Sequence, residues 1–315
     1  MYRRVTLHIA AASNRMRRVI RRPASPWLSM AETRESRQMS TNHSHIVPNV
    51  EVPNISQAQE LVHVRSVSEL LRQHGILKIS LGLDDNKSQY LEQLLLSLHR
   101  RHGHQLPIAH SATKGWFWDV LPATTSFQTA NCQARSETMD EFPWHTDCSY
   151  ENPPPRYFAL HVLQPDRYGG GTLSVMNVQR LSELLSEATK ASLARPEYLI
   201  RTPPEFEKSP RQQHIVGSIM VTDAENQTSM MRFREDILTP LSDRASAALN
   251  ELKHALQSAE AKSYSTLHLT PKALPARSII LIDNRRWLHA RNHITDPGRH
   301  LRRVRWDAVP FSSSM

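Results

Sequence analysis

From about Trp116 onward the chain is a succession of short apolar runs broken by Pro and Gly: Tyr157–Leu163, Thr172–Asn177, Ile215–Val221, Met230–Phe233, Ser278–Ile282 and Leu301–Trp306. Runs this brief, rich in β-branched and aromatic residues, suit strands rather than helices. Only two helical stretches interrupt them, Leu181–Ala194 and Ser242–Ala261. Strands that do not alternate with helices argue against a parallel α/β sheet and predict a mainly β fold with flanking helices, a β-sandwich or jelly roll. Ahead of this region a helix around Val67–Gln73 stops at Gly75, and Ile76–Leu81 alternates as a strand. A second helix carries Tyr90, Leu91, Leu94, Leu95 and Leu98 on one face, with Asp84 or Asp85 as its cap. That leucine stripe reads as core packing against a sheet.

Charge separates the chain into two parts. Residues 1–31 hold seven arginines, no lysine and no acid; setting those aside leaves 32 Lys+Arg against 30 Asp+Glu, from totals of 39 and 30. The body is therefore about neutral, so no nucleic-acid partner is expected despite the formal charge of +9. The arginine-rich, acid-free start has the composition of a mitochondrial transit peptide. The same composition fits a basic tail, or a start placed too far upstream with Met30 or Met39 as the first residue. Residues 1–55 lack sustained periodicity and read as a targeting segment or disordered linker, which leaves 56–315 as one catalytic domain. No stretch approaches the ~20 apolar residues of a membrane helix, so no membrane partner is expected. Cys132 and Cys148 do not make a disulfide framework. An intracellular, soluble location follows, mitochondrial if the start is an address and cytoplasmic otherwise.

His145 and Asp147 stand one residue apart in Glu141-Phe-Pro-Trp-His-Thr-Asp-Cys-Ser-Tyr150. In an extended strand, residues i and i+2 share a face, so an imidazole and a carboxylate converge on one point. His289, after the strand-like run ending at Ile282, supplies a third ligand. Two histidines and a carboxylate leave three positions open on an octahedral metal. A bare His-x-Asp is weak by itself, since seventeen histidines are present. It gains weight from Gly169-Gly-Gly-Thr172 and from Arg299 in Asp296-Pro-Gly-Arg-His-Leu-Arg-Arg303. An arginine beside the metal grips a distal carboxylate through two parallel hydrogen bonds, and the Thr172 hydroxyl adds another.

These segments, with Asp283-Asn-Arg-Arg-Trp-Leu-His289, resemble the TauD/TfdA family, including its clavaminate synthase-like branch, over roughly Leu71 to Trp306. The resemblance implies a distorted double-stranded β-helix and an Fe(II)/2-oxoglutarate oxygenase domain over 56–315. It implies iron(II) on His145, Asp147 and His289, which makes them the catalytic residues. It also implies Thr172 and Arg299 on the C5 carboxylate of 2-oxoglutarate, with dioxygen as the oxidant. The expected reaction hydroxylates or desaturates a small organic substrate, such as a carboxylic acid, amino acid or secondary metabolite, while 2-oxoglutarate becomes succinate. Arg303 would then lie one strand period onward, facing the same cavity, and either meets an acidic group of the substrate or forms a structural salt bridge. Halogenating relatives replace the carboxylate ligand with a small residue, so the presence of Asp147 disfavours halogenation.

For the substrate wall the candidates are Trp118, Tyr150, Gln128 and Asn131, with Trp116 and Phe117 nearby, although aromatic residues read first as core. Cys148 reads as packing on the face opposite Asp147. Two other classes compete. A zinc hydrolase uses the same donor types but has no need of Thr172 and Arg299, and a silent β-sandwich binding protein would not need complete ligands.

Overall fold

The computed structural model divides the chain into Met1–Ser44 and His45–Met315, and it describes residues 47–109, 115–122, 133–207, 213–223 and 227–312. The expected apolar runs become strands and the amphipathic stretches become helices. In order these are β1 (Asn49–Val52), α1 (Leu61–His74), β2 (Ile76–Leu81), α2 (Gln89–His102), β3 (Trp118–Val120), β4 (Phe142–His145), β5 (Pro155–Gln164) and β6 (Leu173–Asn177). They continue with α3 (Val178–Glu183), α4 (Glu187–Leu193), β7 (Tyr198–Arg201), β8 (His214–Gly217), β9 (Met220–Asp223), β10 (Thr228–Met231), β11 (Leu238–Pro240) and α5 (Asp243–Gln257). The last four are β12 (Thr266–Leu269), β13 (Ser278–Asp283), β14 (Trp287–Arg291) and β15 (His300–Ala308).

Two sheets build the centre, one of order β1-β2-β13-β5-β15-β3 and one of order β12-β6-β14-β4. Every pairing in them is antiparallel except β1 with β2. The arrangement is the double-stranded β-helix expected. Alternation along the strands decides which layer each side chain enters. Ile280 and Ile282 of β13, Phe158 and Val162 of β5, and Leu301 of β15 meet Leu173, Val175 and Trp287 of the other sheet. Their neighbours Ile279, Leu281, Tyr157, Ala159, Val304 and Trp306 turn the opposite way, onto Leu71, Leu91, Leu94 and Leu98 of α1 and α2. Covered on both faces, β13 is apolar throughout except at its ends. The far face of the second sheet, through Met176 and Leu288, packs under α3 to α5.

Several local expectations change. Val52 is 1% exposed and β1 pairs with β2 over Asn49–Val52, so the domain begins ahead of Ser56. The stretch Leu181–Ala194 forms two helices, because Ser186 starts a second one by accepting a hydrogen bond from the Thr189 amide. Ile215–Val221 likewise splits into β8 and β9. On α2 the capping is done by Asp85, whose two carboxylate oxygens take the amides of Gln89 and Tyr90 at 2.8 and 2.9 Å. No helix among the described residues is long and apolar enough to cross a membrane.

Candidate active site

His145 and His289 are cross-strand partners on β4 and β14, with ring centroids 4.0 Å apart. Far apart in sequence, the two imidazoles meet because antiparallel pairing places directly opposed side chains on one face. Asp147 arrives differently from the expectation. Strand β4 ends at His145, and Asp147 to Tyr150 form a turn, with Cys148 in left-handed conformation at φ 54°. The turn is pinned at both ends. Thr146 exchanges hydrogen bonds with Phe233, at 2.7 Å from its amide and 3.0 Å to its hydroxyl. Asn284 accepts from the Asp147 amide at 2.7 Å and donates to the Asp147 and Pro155 carbonyls at 2.9 and 3.0 Å.

The result brings the His145 and His289 Nε2 atoms to 4.0 and 3.8 Å from Asp147 Oδ1. One donor atom from each residue lies within 4.8 Å of the others, and all three side chains are buried. His145 donates from Nδ1 to the Pro143 carbonyl at 2.8 Å and stacks on Phe142, which leaves Nε2 as the lone pair facing inward. Burial, reinforced by the neighbouring His289, holds its pKa well below the ordinary histidine value, so it is a neutral donor. Burial alone would raise the Asp147 carboxyl; Arg303 beside it prevails and keeps it well below the usual carboxylate range. Asp147 Oδ2 is nevertheless buried with no hydrogen-bond partner among the described residues. Two imidazoles and an under-satisfied buried carboxylate make a donor set that fits a first-row divalent ion and leaves further positions for small ligands.

A cavity of about 470 Å³ runs from this triad to Arg299, lined between them by Phe158, Leu160, Leu173 and Leu301. Two arginines occupy it besides Arg303, and they differ in what they already hold. Arg291 donates to the carbonyls of Ser136, Thr138 and Asp140 and so fastens the segment before β4. Arg299 has no side-chain hydrogen bond or ion pair among the described residues, and its Nη1 is buried without a partner. Burial, with Arg291 nearby, pushes the Arg299 guanidinium down to about 10. A buried guanidinium without an anion is costly unless a ligand supplies one.

The turn that presents Arg299 is clasped from the β5–β6 connection. Asp166 accepts from the Thr295 amide and hydroxyl, both at 2.8 Å, and from the Asp296 amide at 3.1 Å. Arg167 answers with a two-pronged contact to Asp296 at 2.6 and 2.8 Å. Gly171, at φ 64°, passes so close that a Cβ there would lie 2.8 Å from Arg299 Nε, which accounts for glycine at the end of the Gly169–Gly171 run. Thr172 does not line the cavity. Leu173 does, while the Thr172 amide is held 2.6 Å from Asn292 Oδ1.

Arg303 lies over the Trp118 ring at 4.8 Å and donates to Asp147 Oδ1 at 3.2 Å. The Trp118 indole N–H in turn donates to Glu137 at 2.7 Å. Of the two expectations for Arg303, the salt bridge is present, to Asp147, and the side chain also lines the cavity. A second cavity of about 380 Å³, which shares His145, Asp147 and Arg303 with the first, is lined by Tyr150, Phe206, Glu205, Arg234 and Arg305 among others. Cys148 lines it as well, with the Arg305 guanidinium donating to its sulfur. It therefore does not face away from Asp147, because the strand has already ended. Burial raises its thiol to about 12. Gln128, Asn131 and Cys132 lie outside the described residues. Trp116 and Phe117 pack against the α1–α2 core instead. Asn284, Arg291 and Glu205 were not singled out from sequence; Asn284 and Arg291, at least, stand within the Asp283–His289 segment and two residues past it.

Residues 39–305 match the family model described as taurine catabolism dioxygenase TauD, TfdA family. This chain belongs to that family. A curated relative, the L-asparagine oxygenase of Streptomyces coelicolor (strain ATCC BAA-471 / A3(2) / M145), is 25% identical over 152 residues, 48% of this chain and 42% of the relative. The match thus spans less than half of that protein. Among solved structures, asparagine oxygenase with Fe(II), 2S,3S-3-hydroxyasparagine and succinate superposes with TM-score 0.60 at 17% identity, covering 84% of this chain and 94% of that one. The non-heme iron oxygenase OrfP with Fe and alpha-ketoglutaric acid gives TM-score 0.59 at 14% identity, covering 83% and 95%. At these identities the likeness to the two solved structures is one of fold.

Proposed function

We propose that this family dioxygenase hydroxylates, or desaturates, a small carboxylate-bearing substrate, an amino acid being the favoured case. His145, Asp147 and His289 would hold iron(II), and Arg299 would hold the C5 carboxylate of 2-oxoglutarate. The bound iron, 2-oxoglutarate and dioxygen supply the oxidising chemistry, the keto acid leaving as succinate and carbon dioxide. The observation that carries the reading is one cavity with an under-satisfied two-histidine, one-carboxylate cluster at one end and a buried, counter-ion-free guanidinium at the other. A hydrolase has no use for the second end.

The chain's own contribution is placement and dryness. Arg299 neutralises the far end of the keto acid, and Phe158, Leu160, Leu173 and Leu301 keep water from the path between. Arg303 steadies Asp147 and still has a buried Nε without a partner, which suits a substrate carboxylate. The relatives bound to hydroxyasparagine and to (3S)-hydroxy-L-Arg lend support to an amino acid. Residues ahead of β1 would serve as an import address or linker, given their arginine-rich, acid-free composition; a reporter fused behind residues 1–31 tests the mitochondrial version.

The central test is anaerobic titration of the iron(II)-loaded protein with 2-oxoglutarate. A metal-to-ligand charge-transfer band that saturates is expected, followed by succinate formation when oxygen is admitted. Absence of both in protein that has bound iron overturns the reading.

A further inference from the structure

The second cavity, beside His145 and Asp147, is crowded with arginine, and one carboxylate stands out among them. Glu205, on the short turn Pro204–Phe206, has a side chain only 9% exposed and lines that cavity together with Arg303. Its nearest cation is Arg234, whose Nη1 sits 3.8 Å away, too far for a hydrogen bond. The Arg234 fork is already committed to Asp236, through two bonds of 2.9 Å. Arg135 approaches the same Asp236 at 3.8 Å. No hydrogen bond among the described residues reaches either oxygen of Glu205, so a buried carboxylate keeps its acceptor capacity facing the space where a substrate would lie. Phe206 next to it stacks on Tyr150 at 5.7 Å and meets Trp118 edge-on at 6.0 Å, forming an aromatic wall that joins Glu205 to the Arg303 side.

We propose that Glu205 is a cation-reading subsite, so that the pocket takes a bipolar substrate with a carboxylate at Arg303 and an ammonium or other cationic nitrogen at Glu205. This rests on the oxygenase reading above and narrows its substrate to amino acids over simple organic acids. An ammonium donates the hydrogen bonds that Glu205 lacks, in a site dry enough for a charge-assisted bond to count. A simple carboxylic acid would bring Glu205 no donor while displacing the water that reaches its oxygens, which rejects it.

The experiment is a substrate comparison in the iron(II)-loaded full chain. The common L-amino acids are set against their matched acids in which the ammonium is replaced by hydrogen or hydroxyl, with succinate as the readout. At least one amino acid should exceed its matched acids by roughly 10- to 100-fold in kcat/KM, the size of one hydrogen bond to a charged group. In Glu205→Gln that discrimination should shrink, with KM for the amino acid rising more than kcat falls. If Glu205 only buttresses Arg234, then Glu205→Gln and Arg234→Lys would slow every substrate alike and leave the preference intact. That outcome overturns the proposal, as does equal use of amino and desamino acids by the unaltered enzyme. The charge-transfer band keeps the two readings apart: a band with no turnover of any amino acid defeats the Glu205 subsite alone, and no band defeats the oxygenase reading beneath it.

Discussion

Asn284 is bonded through its side chain to both the amide and the carbonyl of Asp147, at 2.7 and 2.9 Å, and so ties the β13–β14 turn to the metal-site turn. The same amide group also holds the Pro155 carbonyl at 3.0 Å. Asn284 is a positioning residue: it sets where the Asp147 carboxylate can point. Asn284→Leu removes all three bonds and leaves buried partners unpaired. Metal affinity should fall by roughly 10- to 100-fold, the usual cost of losing an outer-shell partner. Asn284→Asp should not rescue, because a carboxylate oxygen would face two carbonyl oxygens. Cobalt(II) titration followed by its visible absorption measures this without turnover; unchanged affinity in both variants would remove Asn284 from that role.

His145→Ala or His289→Ala should lose iron binding with little loss of fold, since either leaves two ligands for a labile ion. Iron content after gel filtration, beside circular dichroism, checks it. Asp147→Gly should also lose hydroxylation, and chloride binding at the opened position becomes testable in the same protein.

Arg299→Ala should raise the 2-oxoglutarate requirement by roughly two to three orders of magnitude, taking ~1.4 kcal/mol per factor of ten. Arg299→Lys should rescue poorly, for a point-like ammonium cannot reproduce the planar fork. Thr172→Val should change that requirement by less than about threefold, well short of the loss of a hydrogen bond to a charged group. Arg303→Ala is the counterpart, expected to weaken substrate use more than 2-oxoglutarate binding. If anaerobic titration shows the reverse order for the two arginines, their assignments exchange.

Asp166 offers a pH test. Burial pushes its carboxyl up, but bonds from the Thr295 amide and hydroxyl and from the Tyr168 and Asp296 amides bring it below the ordinary value. A carboxylate depressed in the folded state contributes stability above its unfolded value of about 3.9 and loses it as the pH falls through the folded one. The unaltered protein should therefore lose stability below about pH 4 more steeply than Asp166→Asn, with no difference in slope between about pH 5 and 8. Thermal melts across that range decide it.

A chain starting at Met39 should fold and turn over like the whole chain, because it retains β1. One starting at Ser56 should be less stable by several kcal/mol, having lost the buried Val52 and the ladder along β2. Equal melting temperatures for the two would show that β1 contributes nothing.

The short apolar runs and their alternation were enough to place the layers: Ile279 and Ile280 enter opposite cores because side chains alternate along a strand, a property of the residues in order. The three residues that the fold gathers, His145, Asp147 and His289, were legible for a related reason, since they are chemically distinctive and stand in distinctive company. What the order of residues did not reveal is how they converge. Asp147 shares the site through a left-handed turn pinned by Asn284, not through strand alternation. Thr172 lies in the expected segment, but it is Leu173, the first residue of β6, that lines the cavity. Arg291 and Arg299 are the same side chain in the same cavity, and the choice between them follows from which carbonyls the fold has brought within reach of one and withheld from the other. Local pattern depends on neighbours along the chain, whereas the unmet hydrogen-bonding capacity of Arg299, Asp147 and Glu205 depends on neighbours across it, and only tertiary packing specifies those.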